Sequence, residues 1–319
     1  MQGLVTVFGG TGFVGRQVVR ALAKRGYRVR AAARNEGQGY RLRMLGDVGQ
    51  IEVVQANVRN RASVERALDG AEACINLVAV LHEGRRQRFD SLHVTGAGTI
   101  AECAAARGIN RFVQVSAIGA DPDAASRYAR SKAQGEAAVR EAIPSATIVR
   151  PSIVFGPEDA FFNRFGQMAA LSPVLPMVGA ETKFQPVFVG DLGDAIANAV
   201  IEPGAAGQTF EIGGPGVYSF RELVELVMKE TGKQRPLLPL PNAIAMVLGR
   251  LGEIQGAFLP ITPLITRDQV ILLGEDNVVT PGAPGLADLG VTATALEPIL
   301  PTYLYRYRKG GQFAEYAAA

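Results

Sequence analysis

Gly9, Gly12 and Gly15 stand three residues apart, directly after the apolar run Leu4 to Phe8 and directly before a helical pattern that opens at Phe13. That spacing suits a pyrophosphate: the first glycine permits a tight turn, the second lets main-chain N–H groups approach the anion, and the third lets helix and strand pack closely. With Thr11, Phe13 and Val14 the segment reads as a dinucleotide cradle. An NAD site usually places an acid about 20 residues further on, at the end of the second strand, to accept the ribose hydroxyls. Arg34 stands there instead. A guanidinium binds a 2′-phosphate through forked, charge-assisted hydrogen bonds, so the pattern favours NADPH over NADH. Arg16, next to the third glycine, is a second candidate partner for the phosphate; a solvated surface role is the plain alternative for both arginines.

Tyr128 and Lys132 form a Y-x-x-x-K pair, and i and i+4 share one face of a helix. In a reductase Lys132 would hold the ribose and lower the tyrosine pKa, while Tyr128 exchanged a proton with a carbonyl. Both also serve as ribose clamps without chemistry. His93, in the segment His93-Val94-Thr95-Gly96-Ala97, reads as a satisfied core residue on a mostly apolar helix rather than a catalyst.

These residues need elements to hold them, and the first 150 positions alternate β-branched runs with helical patterns, the signature of βαβ units on a parallel sheet. Strands are expected at Leu4 to Phe8, Tyr27 to Ala33, Ile51 to Gln55, Ala73 to Val78, Arg111 to Ser116 and Ala146 to Arg150. Helices fill the gaps, from Phe13 to about Gly26, Ala62 to Leu68, Phe89 to Arg107 and Ser126 to Ala142. The expected fold is α/β: a Rossmann-type doubly wound parallel sheet over residues 1–150, with a smaller C-terminal mixed α/β lobe over 151–319 interleaved with it. In that lobe Ser219-Phe220-Arg221-Glu222 has the form of a capping box at a helix start.

Composition narrows the function. With 48% apolar and 20% charged residues the chain of 319 buries a sizeable core and is not disordered. A net charge of +3 is too small a bias for a dedicated nucleic-acid protein. Two cysteines, Cys74 and Cys103, make neither a disulfide framework nor a zinc site, and they read as small buried hydrophobes; no metal is expected. The start of the chain lacks a secretory signal, so a cytoplasmic protein is expected. The apolar stretch Met246 to Ile265 is broken by Gly249, Arg250, Glu253, Pro260 and Pro263, too soon to span a bilayer.

Together the glycine loop, Val115-Ser116-Ala117, the Tyr128/Lys132 pair, Arg150 to Pro157 and Gln185 to Leu192 resemble the short-chain dehydrogenase/reductase superfamily, of the extended or atypical kind, over the whole chain. More narrowly, RPSIVFGPEDAFFNRF, FQPVFVGDL, Ile265 to Val270 and LEPILPTYLYRYRKGGQF resemble the nucleotide-binding accessory subunits of respiratory complex I, a branch of mitochondria and alphaproteobacteria. The resemblance implies a tightly held NADPH without turnover of its own, and a peripheral place on the cytoplasmic side of the bacterial inner membrane. Its partners would be the other complex I subunits of the peripheral arm and membrane junction. It also makes Ser116 the candidate third member of a site with Tyr128 and Lys132, and extends the nucleotide contacts to Ser116, to Asn57, to Val78 and Ala79, and to Pro151, Ser152 and Ile153. Two departures weaken catalysis: Ser116 is followed by Ala117-Ile118-Gly119, without the usual hydroxyl, and His93 replaces an asparagine that supports the site backbone in active members.

Two surfaces fall outside the nucleotide site. Arg85, Arg86 and Arg88 read equally as a solvated loop or as a surface for an acidic partner. Tyr303, Tyr305 and Tyr307 interleave with Arg306, Arg308 and Lys309, which suits a partner surface, the membrane interface, or packing onto the second lobe. The competing function is a soluble NADP(H)-dependent reductase or epimerase acting on a small carbonyl or sugar-like substrate. A third, a redox-responsive regulator reporting NADPH occupancy, shares the same site.

Overall fold

Strand ends decide where a ligand can sit in a parallel sheet. The computed structural model describes residues 2–84, 87–258 and 265–313. It contains β1 (Gln2–Phe8), β2 (Tyr27–Ala33), β3 (Ile51–Gln55), β4 (Ala73–Asn76), β5 (Arg111–Val115), β6 (Thr147–Pro151) and a seventh strand, Thr209–Ile212. All pair in parallel, in the order seventh, β6, β5, β4, β1, β2, β3. The winding reverses on either side of β1, and open sheets of this kind bind ligands at that reversal, beyond the carboxyl ends of the strands. Register brings those ends level: Phe8 is paired with both Ala32 and Asn76, and Asn76 with Gln114.

The sheet is buried on both faces, which is why β1, β4 and β5 are apolar runs rather than alternating ones. Under one face Phe8, Cys74 and Phe112 pack with Val64 of α2 (Arg61–Ala67), Leu68 at its C-cap, Ile100 and Cys103 of α3 (Thr95–Ala105) and Val139 of α4 (Arg127–Ala142). Both cysteines are free and buried in this layer. α1 (Phe13–Lys24) ends at Arg25, and Gly26 follows at φ +80°, a left-handed position that suits glycine after a helix.

The chain forms two compact units. The first comprises 1–151, 189–212 and 280–292; the second comprises 152–188, 213–279 and 293–319. Where the sequence reading draws a line after residue 150, two later segments return to the first unit for packing reasons. The helix Val189–Ile201 lies on α1 so closely that a Cβ on Gly193 would meet Gln17, and Arg25 of α1 reaches Asp194 at 2.8 Å and Asn198 at 3.0 Å.

In the second unit Phe155, Phe161, Phe162, Phe165, Phe184 and Phe220 form one aromatic cluster, with successive ring centroids 5.0–6.5 Å apart. The capping box at Ser219 and Glu222 is present, at the head of the helix Phe220–Thr231. The tyrosine-rich C-terminal segment packs onto this unit. Tyr303 is fully buried, with its hydroxyl 2.6 Å from Asp159, whose other oxygen accepts from the Phe162 N–H at 2.6 Å. Tyr307 donates to Asn163, and Arg308 to Glu230. Of the roles open for this segment, Tyr303 and Tyr307 therefore take the packing one, Tyr303 because the buried Asp159 carboxylate has to be given donors and Tyr307 through Asn163. Arg88 is exposed, and Arg85 and Arg86 lie outside the described residues.

One helix of this unit is inside out. Following α5 (Phe161–Leu171), α6 (Val189–Ile201) and α7 (Phe220–Thr231) in the chain, α8 (Asn242–Phe258) turns its small residues Ala245, Gly249 and Gly252 inward, where a Cβ on Gly249 would lie 2.7 Å from the Arg267 nitrogen. Ile244, Val247, Leu248 and Leu251, at the i, i+3, i+4, i+7 spacing of one helix face, are 45–61% exposed. No helix among the described residues is long and apolar enough to cross a membrane.

Candidate functional site

The glycine loop leaves β1 through Gly9 at φ +80°, a conformation that a side chain would strain; its N–H donates to the Ala32 carbonyl at 3.0 Å and its carbonyl accepts from Gly12. A Cβ on Gly15 would overlap the Gly9 carbonyl, so this third glycine is a packing requirement between α1 and β1. Gly12, by contrast, is exposed, and its missing side chain borders only the Gly9 carbonyl oxygen at 3.2 Å. It is the N-cap of α1, offers no side-chain cap, and no acid occupies the first turn. The opening N–H groups of α1, from Phe13 and Val14 onward, keep the partial positive charge of a helix start for an anion.

Arg34 follows the last residue of β2 and is exposed. With its amide oxygen turned toward Arg34, Gln87 accepts from the guanidinium, at 3.3 Å from one of its nitrogens. Asn57, just past β3, closes a local turn by accepting from the Arg59 N–H at 3.1 Å. These two positions lie on the β2/β3 side of the glycine loop.

The β4/β5 side rests on a buried polar ladder. Asn76, fully buried at the tip of β4, donates to Gln114 at 2.8 Å and accepts from the Val78 N–H at 3.1 Å. Gln114 donates in turn to the Val115 carbonyl at 3.2 Å, where it meets the Lys132 ammonium at 2.9 Å. The loop carrying Val78 and Ala79 is thereby tied to the end of β5. Beside it the Ser116 hydroxyl is the one buried side-chain polar atom among the described residues that has no partner. An unpaired buried hydroxyl is costly, so its presence at a strand tip fits a group meant for a ligand.

Tyr128 and Lys132 come from α4, whose N-cap Ser126 accepts from the Ala129 N–H. Burial lowers the Lys132 pKa to about 8, against the attraction of Glu136 one turn further on. The Tyr128 ring packs edge-on against Phe89 and His93, with centroids 5.7 and 5.6 Å away. Where the sequence predicts a continuous helix from Phe89 to Arg107, residues Asp90–Val94 form a π turn before α3. Glycine supports it: a Cβ on Gly135 of α4 would overlap the His93 carbonyl. His93 is the buried, satisfied residue expected from the sequence, and burial, then Lys132, lowers its pKa to about 3.

Pro151 ends β6 and its carbonyl accepts from the Ile118 N–H at 3.1 Å. Ser152 and Ile153 fall in the second unit, where the Ser152 hydroxyl serves Asn277 at 2.8 Å and the Gln185 N–H at 3.2 Å. Gly9 to Arg16, Arg34, Asn57, Val78, Ala79, Ser116, Tyr128, Lys132 and Pro151 thus share the first unit, at or beside the carboxyl edge of its sheet. Sequence reasoning missed the ladder of Asn76 and Gln114; the available signal was one amide near the end of each of two otherwise apolar strands.

These residues fit a dinucleotide: a glycine loop that admits no side chain at Gly15 and strains one at Gly9, a helix start without an acid, and an orphaned hydroxyl at the strand tips. The chain also matches known proteins. Residues 1–248 match the NmrA-like family. The mitochondrial NADH dehydrogenase (ubiquinone) 1 alpha subcomplex subunit 9 of Dictyostelium discoideum is 34% identical, over 98% of this chain and 87% of that protein. The subunit of the same name from Rattus norvegicus is 36% identical over 96% of this chain and 80% of that protein. Among solved structures, the triphenylmethane reductase of Citrobacter sp. superposes with a TM-score of 0.75 at 18% identity, over 94% of this chain and 99% of that one, a likeness of fold.

Proposed function

Because the chain belongs to the NmrA-like family, a branch of the extended short-chain dehydrogenase/reductases, we propose that it is a non-catalytic, NADPH-binding accessory subunit of respiratory complex I, docked on the peripheral arm near the membrane junction. The observation that carries this reading is similarity over both units: the relatives named as NADH dehydrogenase subunits align with 96–98% of the chain, not with the nucleotide-binding part alone. Gly9, Thr11, Gly12 and Gly15 would cradle the pyrophosphate, with Arg34 and Arg16 on the 2′-phosphate side and Asn57 by the adenosine. Val78, Ala79, Ser116, Tyr128, Lys132 and the main chain at Pro151 would take the nicotinamide half. The bound nucleotide would stabilise the folded subunit by mass action. The exposed aliphatic face of α8 supports docking, since contiguous apolar surface of this kind marks protein partners. The experiment is to solubilise membranes of the cells that make the protein and separate them by size: the protein should migrate with NADH:quinone activity and release NADPH when denatured. Migration as a free protein would overturn the docking reading.

A second reading, a soluble NADP(H)-dependent reductase or epimerase, is favoured by Ser116, Tyr128 and Lys132. NADPH would there supply hydride to a small carbonyl, with Tyr128 moving the proton and Lys132 holding the ribose.

A further inference from the structure

We infer that His93 is a positioning residue for the nicotinamide half of the nucleotide site, acting through the β4 loop and α4; the inference rests on the NADPH-binding reading. Its imidazole bonds at both nitrogens. Nε2 accepts from the Val80 N–H at 3.0 Å, so Nδ1 carries the proton and donates to the Ser131 hydroxyl at 2.8 Å. Ser131 in turn donates to the Tyr128 carbonyl at 2.7 Å. One ring thus joins the loop just past Val78 and Ala79 to the turn of α4 that presents Tyr128 and Lys132. The π turn at Asp90–Val94 adds a residue to the local helical repeat around His93, and Gly135 admits its carbonyl against α4. Phe89 stacks on the ring at 5.3 Å, which fixes its plane. Neither nitrogen is left for a substrate, so the histidine acts by geometry rather than by proton transfer.

The β4 loop is on the opposite side of β1 from Arg34 and Asn57, so the two halves of a dinucleotide report on different residues. His93→Leu, which makes neither bond, is expected to weaken NADPH at least tenfold while leaving adenosine 2′,5′-bisphosphate, which lacks the nicotinamide half, within twofold of the parent. His93→Gln, whose amide oxygen reaches the position of Nε2 and can accept from Val80, is expected to restore part of the NADPH affinity. Amide exchange at Val80 should speed up in His93→Leu and not in His93→Gln. Should His93→Leu fail to fold, Ser131→Ala removes the hydroxyl that links His93 to the Tyr128 carbonyl, leaves the Val80 bond in place, and is expected to weaken NADPH several-fold with the same indifference to the bisphosphate. Equal losses for both ligands, or NADPH binding unchanged in His93→Leu, would overturn the positioning role. A parent protein that binds neither ligand overturns the NADPH reading instead, and unchanged Val80 exchange in His93→Leu then refutes the positioning role independently.

Discussion

Replacing Lys132 with methionine should make the nucleotide-free protein more stable and a poorer nucleotide binder. Lys132 is buried, with one described bond, to the Val115 carbonyl, and burial brings its pKa from 10.5 to about 8. Below pH 8 the folded state keeps an ammonium that the interior disfavours relative to the unfolded chain. The gap between 10.5 and about 8 corresponds to about 3 kcal/mol of destabilisation at pH 7. Between pH 8 and 10.5 the unfolded chain holds the proton and the folded one does not, so this cost fades as pH rises and is gone above 10.5. Methionine has a similar length and no charge, and the Val115 carbonyl still accepts from Gln114. Lys132→Met is therefore expected to gain about 2–3 kcal/mol at pH 7, a rise on the order of 4 °C in the thermal midpoint of a chain this size. The gain should shrink to near zero by pH 10.5. Urea denaturation of both proteins at pH 7, 9 and 10.5 measures it, and NADPH titration should show at least a tenfold weaker complex. A variant less stable than the parent at pH 7, with a difference that does not change with pH, would refute the reasoning: the lysine would then be a structural donor, not a group kept at a cost for a ligand.

Arg34→Ala should weaken NADPH by about 1.5–3 kcal/mol, ten- to a hundredfold, and leave NADH unchanged; equal losses would sink the 2′-phosphate assignment. His93 has its pKa lowered to about 3, so it stays neutral when folded while the unfolded chain takes up a proton below pH 6.5. Its contribution to stability is lost as pH falls through that window, about 2–3 kcal/mol by pH 4.5, and the difference between the parent and His93→Asn in acid denaturation curves should show it. The protein loaded with NADPH should not turn over a panel of aldehydes, ketones and quinones; fast oxidation, followed by nicotinamide absorbance and abolished in Tyr128→Phe, would reveal an enzyme. Val247→Glu with Leu251→Glu, on the open face of α8, should release the protein from the respiratory assembly in size separations without changing its NADPH affinity.

Local rules were enough for much of this protein. β2 and β3 begin and end at the residues the β-branched runs predict, and α1 starts at Phe13 because the glycines before it cannot continue a strand and the apolar stripe after them has helical period. The spacing of the glycines, the basic residue after β2 and the Tyr128/Lys132 pair could be read as candidates for the same reason: each is a separation along the chain. Groups whose partners are distant in sequence were not. Asn76 needs Gln114, and His93 needs Val80 and Ser131, across separations of 13 to 38 residues, so only the sheet order and the packing of α4 on the π turn bring them together. The same holds for the two arcs, 189–212 and 280–292, that rejoin the first unit, and for Tyr303, whose hydroxyl is claimed by Asp159 from 144 positions away. A sequence shows that α8 is apolar; only the packing of its small residues inward shows that its large ones face out.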